Sequence, residues 1–263
     1  MAEPWRPDRS RGIFETLLVV DGAPVELGAH LHRLARSLEE AYSQELPPHL
    51  EDKLRGAADE IPLGRLRCTL APVEDGFQLD LLAGGVELEA VFPGRGVHLR
   101  THEIAGGLGS HKWVDRKGIN RPGPEEAGAL IVDKGEVLEA GWANVFAVRG
   151  GTLFTPPLDG RILPGVTRAT VIELSRGRDL EVHEQALDLS NLHQADEVFL
   201  TNSIRGVEIV DSIGGEALAP AGPVSASLRE DLRSAWGLAS PPLLASVRES
   251  ETAAPEGGRS LTA

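Results

Sequence analysis

A chain of 263 residues with 41% hydrophobic and 25% charged side chains has the composition of a globular protein, one large domain or two small ones. A formal net charge of -14 argues against nucleic acid or an anionic membrane as partner, because both need a broad basic surface, yet it leaves room for a local basic pocket. One cysteine, Cys68, excludes an intramolecular disulfide framework and a cysteine-based metal site, and His98 and His102 form no metal set with any other His or Cys.

The opening MAEPWRPDRSRG lacks an apolar core, so no signal peptide is expected, and no apolar run is long enough to span a bilayer. The expected location is the cytoplasm. IFETLLVV (13–20) reads as a strand, Asp21-Gly22 as a hairpin turn, and LGAHLHRLARSLEEAYSQ as an amphipathic helix with Leu31, Leu34, Leu38 and Ala41 at helical spacing. After the helical EDKLRGAADEI, LRCTLAPVEDGFQLDLLA predicts two strands that turn at Glu74-Asp75-Gly76, with Cys68 buried in the first. Gly84-Gly85 and PGRG (93–96) break the pattern. The expected organisation is a small domain over 1–85, a connection over 86–95, and a large domain over 96–245. Strands at ALIVD, ANVFAVR, TLFTP and EVFLT and a helix at VTRATVIELSRGR give that large part an α/β or α+β character. SVRESETAAPEGGRSLTA (246–263), poor in apolar residues, is expected to be a disordered tail.

Four stretches carry possible chemistry, each with a plain structural reading beside it. In LPGVTRATVIELS, Gly165 precedes a helix whose first turn holds Val166 and Thr167, so the motif is either a capped helix or a phosphate site at the dipole's positive end. In FLTNS, Thr201, Asn202 and Ser203 end a strand, as a turn or as part of an anion cradle. Glu139 interrupts an apolar run, which requires either a solvated turn or a partner cation. Arg33, three residues after His30, is an exposed helix arginine or a bidentate phosphate contact. A fifth stretch, GSHKWVDRKGINRP (109–122), holds two lysines, Lys112 and Lys117.

FET (14–16), HLHRL (30–34), HKWVDR (111–116), LEAGWANVF (138–146), LPGVTR (163–168) and FLTNS (199–203) occur in that order. This series resembles the class IV aminotransferases, the fold type IV pyridoxal 5'-phosphate (PLP) enzymes, which include D-amino-acid and branched-chain aminotransferases and aminodeoxychorismate lyases. The resemblance covers about residues 12–212. It implies an α/β (α+β) fold of two α/β domains with PLP between them, and a homodimer. It implies that Lys112, which opens a K-x-x-(N/D)-R pattern, is the catalytic Schiff-base lysine, and that Lys117 is a solvated bystander. Glu139 matches the acid paired with the pyridine nitrogen. Arg33, Val166, Thr167, Asn202 and Ser203 match the phosphate contacts, and Asn144 a residue close to the cofactor. Phe14 matches an aromatic of the substrate pocket, and Trp142 is expected to narrow it.

Departures from the family pattern are as specific. The segment between Lys112 and Glu139 is short, and Pro122-Gly123-Pro124 stands where a helix would run. Gly141, Trp142 and Ala143 replace small hydroxyl residues, and no strand and DG element precedes FET. CTLAPVEDGF (68–77) lacks the arginine–histidine clamp of D-amino-acid aminotransferases, which leaves Arg65, Arg67, Arg95, Arg100 and Arg121 as carboxylate partners. The implied activity is transamination between an α-amino acid, the D-series favoured, and a 2-oxo acid. Aminodeoxychorismate lyase is the alternative, and a catalytically silent PLP-binding protein is a third.

Overall fold

Ile13–Val20 is apolar at nearly every position because both faces of this strand are covered. The computed structural model describes residues 5–116, 119 and 127–238. Strand β1 (Ile13–Val20) turns at Asp21 and Gly22, both at positive φ, into β2 (Ala23–Pro24). Helix α1 (Leu27–Tyr42) and α2 (Leu50–Ala58) follow, then β3 (Leu63–Val73) and β4 (Gly76–Gly85). These strands form a sheet in the order β2-β1-β3-β4. Ile13, Leu17 and Val19 pack with Leu27, Leu34 and Leu38 of α1, whereas Leu18 packs on Phe146 and Phe199 of the second sheet. Period-two alternation therefore aims Glu15 at α1 and Phe14 and Thr16 away from it.

The second sheet begins after the connecting segment with β5 (Val97–Glu103), β6 (Gly128–Asp133), β7 (Glu136–Ala140), β8 (Ala143–Arg149) and β9 (Thr152–Thr155). It continues through α3 (Val166–Gly177), β10 (Val182–Glu184), β11 (Leu187–Asp188) and α4 (Leu189–His193) to β12 (Glu197–Asn202), β13 (Gly206–Ile213), β14 (Glu216–Ala217) and α5 (Pro223–Ala235). Strands β8, β12, β13, β5, β6 and β7 pair in turn, and β7 pairs back onto β8, which closes a barrel. Its interior holds Leu130, Val145, Leu200 and Val210, while α3 and α5 cover Phe146, Phe199 and Val207 outside.

The predicted strands and helices all form, and the α/β architecture is as expected. Within α1 the buried stripe runs deeper than the leucine spacing indicates: Leu31 and Ala41 are half-buried, and His30, Arg33 and Ser37 are buried. Trp113 packs in the core beside Ile13 and Tyr42. Cys68 is buried, and burial pushes its thiol up to about 12. Among the described residues no helix is long and apolar enough to cross a membrane.

Candidate active site

Three adjacent barrel strands place one polar residue each in a single cross-strand row. Glu139 on β7 pairs with Asn144 on β8, and Asn144 pairs with Thr201 on β12. Directly opposed residues point to the same face, and all three line one cavity with Arg33, Lys112, Arg116 and the start of α3. That start is Gly165, which caps α3 without a side-chain hydrogen bond. The first-turn N–H groups consequently face the cavity beside Thr167, whose Oγ1 lies 3.4 Å from Ser203 Oγ. The sequence left a capped helix and an anion site open; here the cap position carries no acceptor side chain. Asn144 Nδ2 donates to Leu163 O at 2.9 Å, and Leu163 N donates to both Glu139 oxygens at 3.3 Å. Glu139 is buried, not at a solvated turn. Burial pushes its carboxyl up to about 8, against the opposing pull of Arg116, the Leu163 N–H and Lys112.

Lys112 lies on the segment between β5 and β6, pinned to the edge of the small sheet. Phe14 N donates to Lys112 O at 2.9 Å, Val114 N to Gly12 O at 3.0 Å, and Ile13 forms a bridge with Trp113. Asp115, buried, accepts from Asp8 N at 2.9 Å and Arg11 Nη1 at 3.3 Å. Arg116 Nη1 donates to Gly141 O at 2.6 Å. The Lys112 Nζ sits 5.1 Å from the centroid of Phe14. Burial, then the Arg33 guanidinium, bring the lysine down to about 7; Glu15 opposes this, and Arg116 and Arg67 add to it.

Arg33 is not an exposed helix residue. Its Nε donates to Glu15 Oε1 at 2.7 Å and its Nη2 to Glu15 Oε2 at 2.5 Å, while Nη1 donates to Pro164 O at 3.0 Å. His30 Nδ1 holds the same Oε2 at 2.8 Å. Three of the five guanidinium N–H groups are thus used, and one remains on each terminal nitrogen. Burial alone would raise the Glu15 carboxyl, but Arg33 and His30 hold it far below the usual carboxylate range.

A second cavity opens on the other side of Lys112. Phe14, Thr16, Arg65, Arg67, Ile204 and Arg205 line it, and Lys112, Arg116, Trp142, Asn202 and Ser203 border both spaces. Register explains the arginines, since Thr16 pairs with Arg67 and Leu18 with Arg65, so both point to the Phe14 face. The Arg67 guanidinium lies 3.7 Å from the Phe14 ring centroid. Arg95 and Arg100, equal candidates from sequence, are exposed and line neither cavity.

Arg33, Lys112, Glu139, Asn144, Val166, Thr167, Asn202, Ser203 and Trp142 all meet at the first cavity, and Phe14 at the second. Thr201, named with Asn202 and Ser203 at the end of FLTNS, borders the first cavity, whereas Glu15 and Arg205 were not anticipated. Glu15 carries the same signal as Glu139, an acid inside an apolar run. Lys117, Arg121, Pro122-Gly123-Pro124 and the tail over 246–263 lie outside the described residues. Among the described residues, no group of His, Cys, Asp and Glu gathers to hold a metal ion.

A closed barrel joined to a four-stranded sheet, with the half-buried Lys112 where the two meet, defines the fold type IV architecture of PLP enzymes. The family model for amino-transferase class IV matches residues 116–213. The branched-chain-amino-acid aminotransferase of Escherichia coli K12 is 37% identical over 112 residues, 42% of this chain and 36% of that protein. The aminodeoxychorismate lyase of Bacillus subtilis is 28% identical over 217 residues, 73% of this chain and 74% of that one. A hypothetical aminotransferase from Mycobacterium tuberculosis, solved in PLP-bound form, superposes with a TM-score of 0.78 at 22% identity, over 90% of this chain and 94% of its own. Over residues 116–213 the chain is thus similar to class IV aminotransferases, and over 73% of its length to the B. subtilis lyase. Its match to the branched-chain relatives spans only 36–43% of their length.

PLP is the cofactor of this family, and the first cavity fits it. Thr201 Oγ1 is buried without a partner among the described residues, and the uncapped start of α3 supplies N–H donors. A Cβ on Gly165 would fall 2.0 Å from Asn144 Oδ1, so only glycine lets backbone, amide and ligand meet there. The donor set suits a phosphate at one end and the Glu139 carboxyl suits a protonated ring nitrogen at the other.

Proposed function

We propose that the protein is a PLP-dependent aminotransferase that moves an amino group from an α-amino acid, preferentially of the D-series, to a 2-oxo acid. One observation carries this reading: Lys112 borders both cavities, a donor-lined cradle on one side and an arginine-lined cleft on the other. When bound, PLP supplies an electron sink for the carbon that loses its proton. Lys112, held near 7, has a substantial neutral fraction at neutral pH, so it serves as nucleophile and then takes and returns that proton. Arg33, the N–H groups of Val166 and Thr167, and Ser203 hold the phosphate, while Asn202 borders both spaces. Glu139 keeps the ring nitrogen protonated, and Asn144 fixes the segment around Leu163 that supports Glu139. Phe14 and Trp142 wall the cleft and exclude water from Lys112.

The reading includes a division at residues 86–95 into two domains with PLP between them, and a cytoplasmic homodimer. The preference for D-amino acids rests on the sequence resemblance. Spectra of the PLP-loaded protein mixed with a panel of D- and L-amino acids test it. Loss of the cofactor's visible band with D-alanine or D-glutamate, with the 2-oxo acid appearing, is the expected result; reaction with the L-series only overturns the stereochemical part. Absence of any visible band after adding PLP overturns the whole reading.

The aminodeoxychorismate lyase reading is supported by the match to the B. subtilis lyase, which runs over far more of this chain than the branched-chain match does. It expects inertness toward every amino acid, with pyruvate and p-aminobenzoate formed from aminodeoxychorismate.

A further inference from the structure

Glu26 stands where a helix cap belongs and does not act as one. It precedes Leu27, the first residue of α1, at φ 53° and ψ 31°, the left-handed region that is unfavourable for a residue with a Cβ. Its side chain makes no hydrogen bond to the helix. Glycine would suit that backbone, and a short hydroxyl or amide side chain would suit the cap. The carboxylate instead leaves its own helix. Its Oε1 accepts from Thr170 Oγ1 on α3, and its Oε2 accepts from Trp236 Nε1 at 3.3 Å, directly after α5. Trp236 is buried against Phe92, and Thr170 lies one turn beyond Val166 on the same face of α3.

This contact joins the two halves of the cradle assigned above to the phosphate. Arg33 comes from α1, and the N–H groups of Val166 and Thr167 come from α3. Arg33, Gly165 and Val166 border both the cradle and an open groove beside it, and Glu26 and Thr170 line that groove. Glu26, His30 and Arg33 follow at i, i+4 and i+7, so the face of α1 that carries the guanidinium also carries the carboxylate. Helix α1 thus meets the α3 segment at two heights. Arg33 Nη1 donates to Pro164 O at 3.0 Å just before that helix, and Glu26 holds Thr170 in its second turn. Two attachments fix both the separation and the rotation of α1 relative to α3, where one would leave a pivot. A phosphate held from both helices needs that separation, because charge-assisted hydrogen bonds tolerate little change in distance.

Resting on the reading above, we propose that Glu26 is a positioning residue for the phosphate: by clamping α1 to α3 and to the end of α5, it sets the span between the Arg33 guanidinium and the first turn of α3. Glu26 does not line the cradle itself and acts through Arg33 and α3. The two local preferences it breaks, at the backbone and at the cap, are explained by a side chain retained for this crossing.

Equilibrium binding of PLP and of pyridoxal, which lacks the phosphate, to the PLP-free protein tests the assignment. Glu26→Gly removes the carboxylate and relieves the left-handed backbone, so a residue needed only for the turn would leave PLP affinity intact. The expected result is a loss of PLP affinity of about 10-fold, as the loss of hydrogen bonds to a charged group allows, with pyridoxal affinity unchanged. Thr170→Val should reproduce most of that loss, and adding it to Glu26→Gly should lower the affinity little further. Glu26→Gln, which keeps an acceptor for Thr170, should retain part of the affinity that Glu26→Gly loses. PLP affinity unchanged in Glu26→Gly, or an equal loss for PLP and pyridoxal, overturns the proposal. If Glu26→Gly does not fold, Thr170→Val decides by the same two measurements. Failure of the unaltered protein to bind PLP is a different result and removes the underlying reading instead.

Discussion

Glu15 grips Arg33 with both carboxylate oxygens, from β1 to α1, and His30 shares one of those oxygens. The pair is nearly dry on both sides. Arg33 thereby borders the cradle in one orientation, with a defined pair of N–H groups left over. A buried ion pair broken on one side leaves an uncompensated charge. Glu15→Ala should therefore cost about 3–5 kcal/mol in denaturant unfolding and weaken PLP binding on the order of 10-fold or more, whereas Leu18→Val, on the opposite face, should leave PLP affinity unchanged. The Glu15 carboxyl is depressed in the folded state. Its stabilising contribution is accordingly complete above the ordinary carboxylate value of 4.5 and is lost as pH falls below it. In Glu15→Gln, the fall in unfolding free energy on acidification from pH 5 downward should be shallower than in the unaltered protein.

For Lys112 the sign is the reverse. Its folded value near 7 lies below the ordinary lysine value of 10.5, so between those limits the unfolded chain binds more protons and stability rises with pH. The PLP-free protein should gain stability from pH 7 to 10, and Lys112→Met should remove that slope while stabilising the protein below pH 7. The rate of PLP uptake should rise through about pH 7 and then level off as the amine becomes neutral. Lys112→Ala should show no visible cofactor band and no borohydride-fixed label on the chain. A PLP uptake rate that keeps rising to pH 10 would show an ordinary solvent-exposed lysine instead.

Glu139 supplies a third test. Burial holds the carboxyl up at about 8, above the ordinary 4.5, against the pull of Arg116 and Lys112, so its contribution is present below 4.5 and lost as pH rises through 8. Glu139→Gln should flatten that loss in the PLP-free protein. The same variant should still take up PLP, because the phosphate cradle is intact, yet turn over on the order of 100-fold more slowly without the acid at the ring nitrogen. Infrared difference spectra should show the protonated carboxyl of Glu139 disappearing as PLP is added.

Much of this arrangement was legible before any coordinates. The apolar alternation of 13–20, the Asp21-Gly22 turn and the helical spacing of Leu34 and Leu38 are local signals, and local signals fixed the elements. The order of motifs then named Lys112, Glu139 and Arg33. What could not be read was pairing at long sequence range. Arg65 and Arg67 were two of five equivalent arginines until the register of β1 on β3 turned them toward Phe14. Arg205 reached the cleft only because β12 pairs with β8 and its turn into β13 follows. Glu15 is the instructive omission. The physical reason that singled out Glu139, a carboxylate inside an apolar run, applied to it equally, and His30 and Arg33 of HLHRL were its waiting partners.

Gly165 makes the last prediction, because the clash it avoids names its own remedy. Its φ of -65° is open to any residue, so backbone strain plays no part. A methyl group there would lie 2.0 Å from Asn144 Oδ1 and 3.2 Å from the Arg168 Cβ. Asn144 is held by its bond to Leu163 O and cannot swing away without releasing the segment that supports Glu139. Gly165→Ala should hence push the start of α3 out of the cradle, destabilising the fold by about 1–3 kcal/mol as overpacking does and weakening PLP binding at least 10-fold. Removing the obstructing amide should reverse part of this. The double variant Gly165→Ala, Asn144→Ala is expected to bind PLP more tightly than Gly165→Ala alone, although Asn144→Ala by itself weakens binding. Equilibrium titration of the four proteins measures the coupling, and purely additive losses would mean that Gly165 is required for something other than its distance from Asn144.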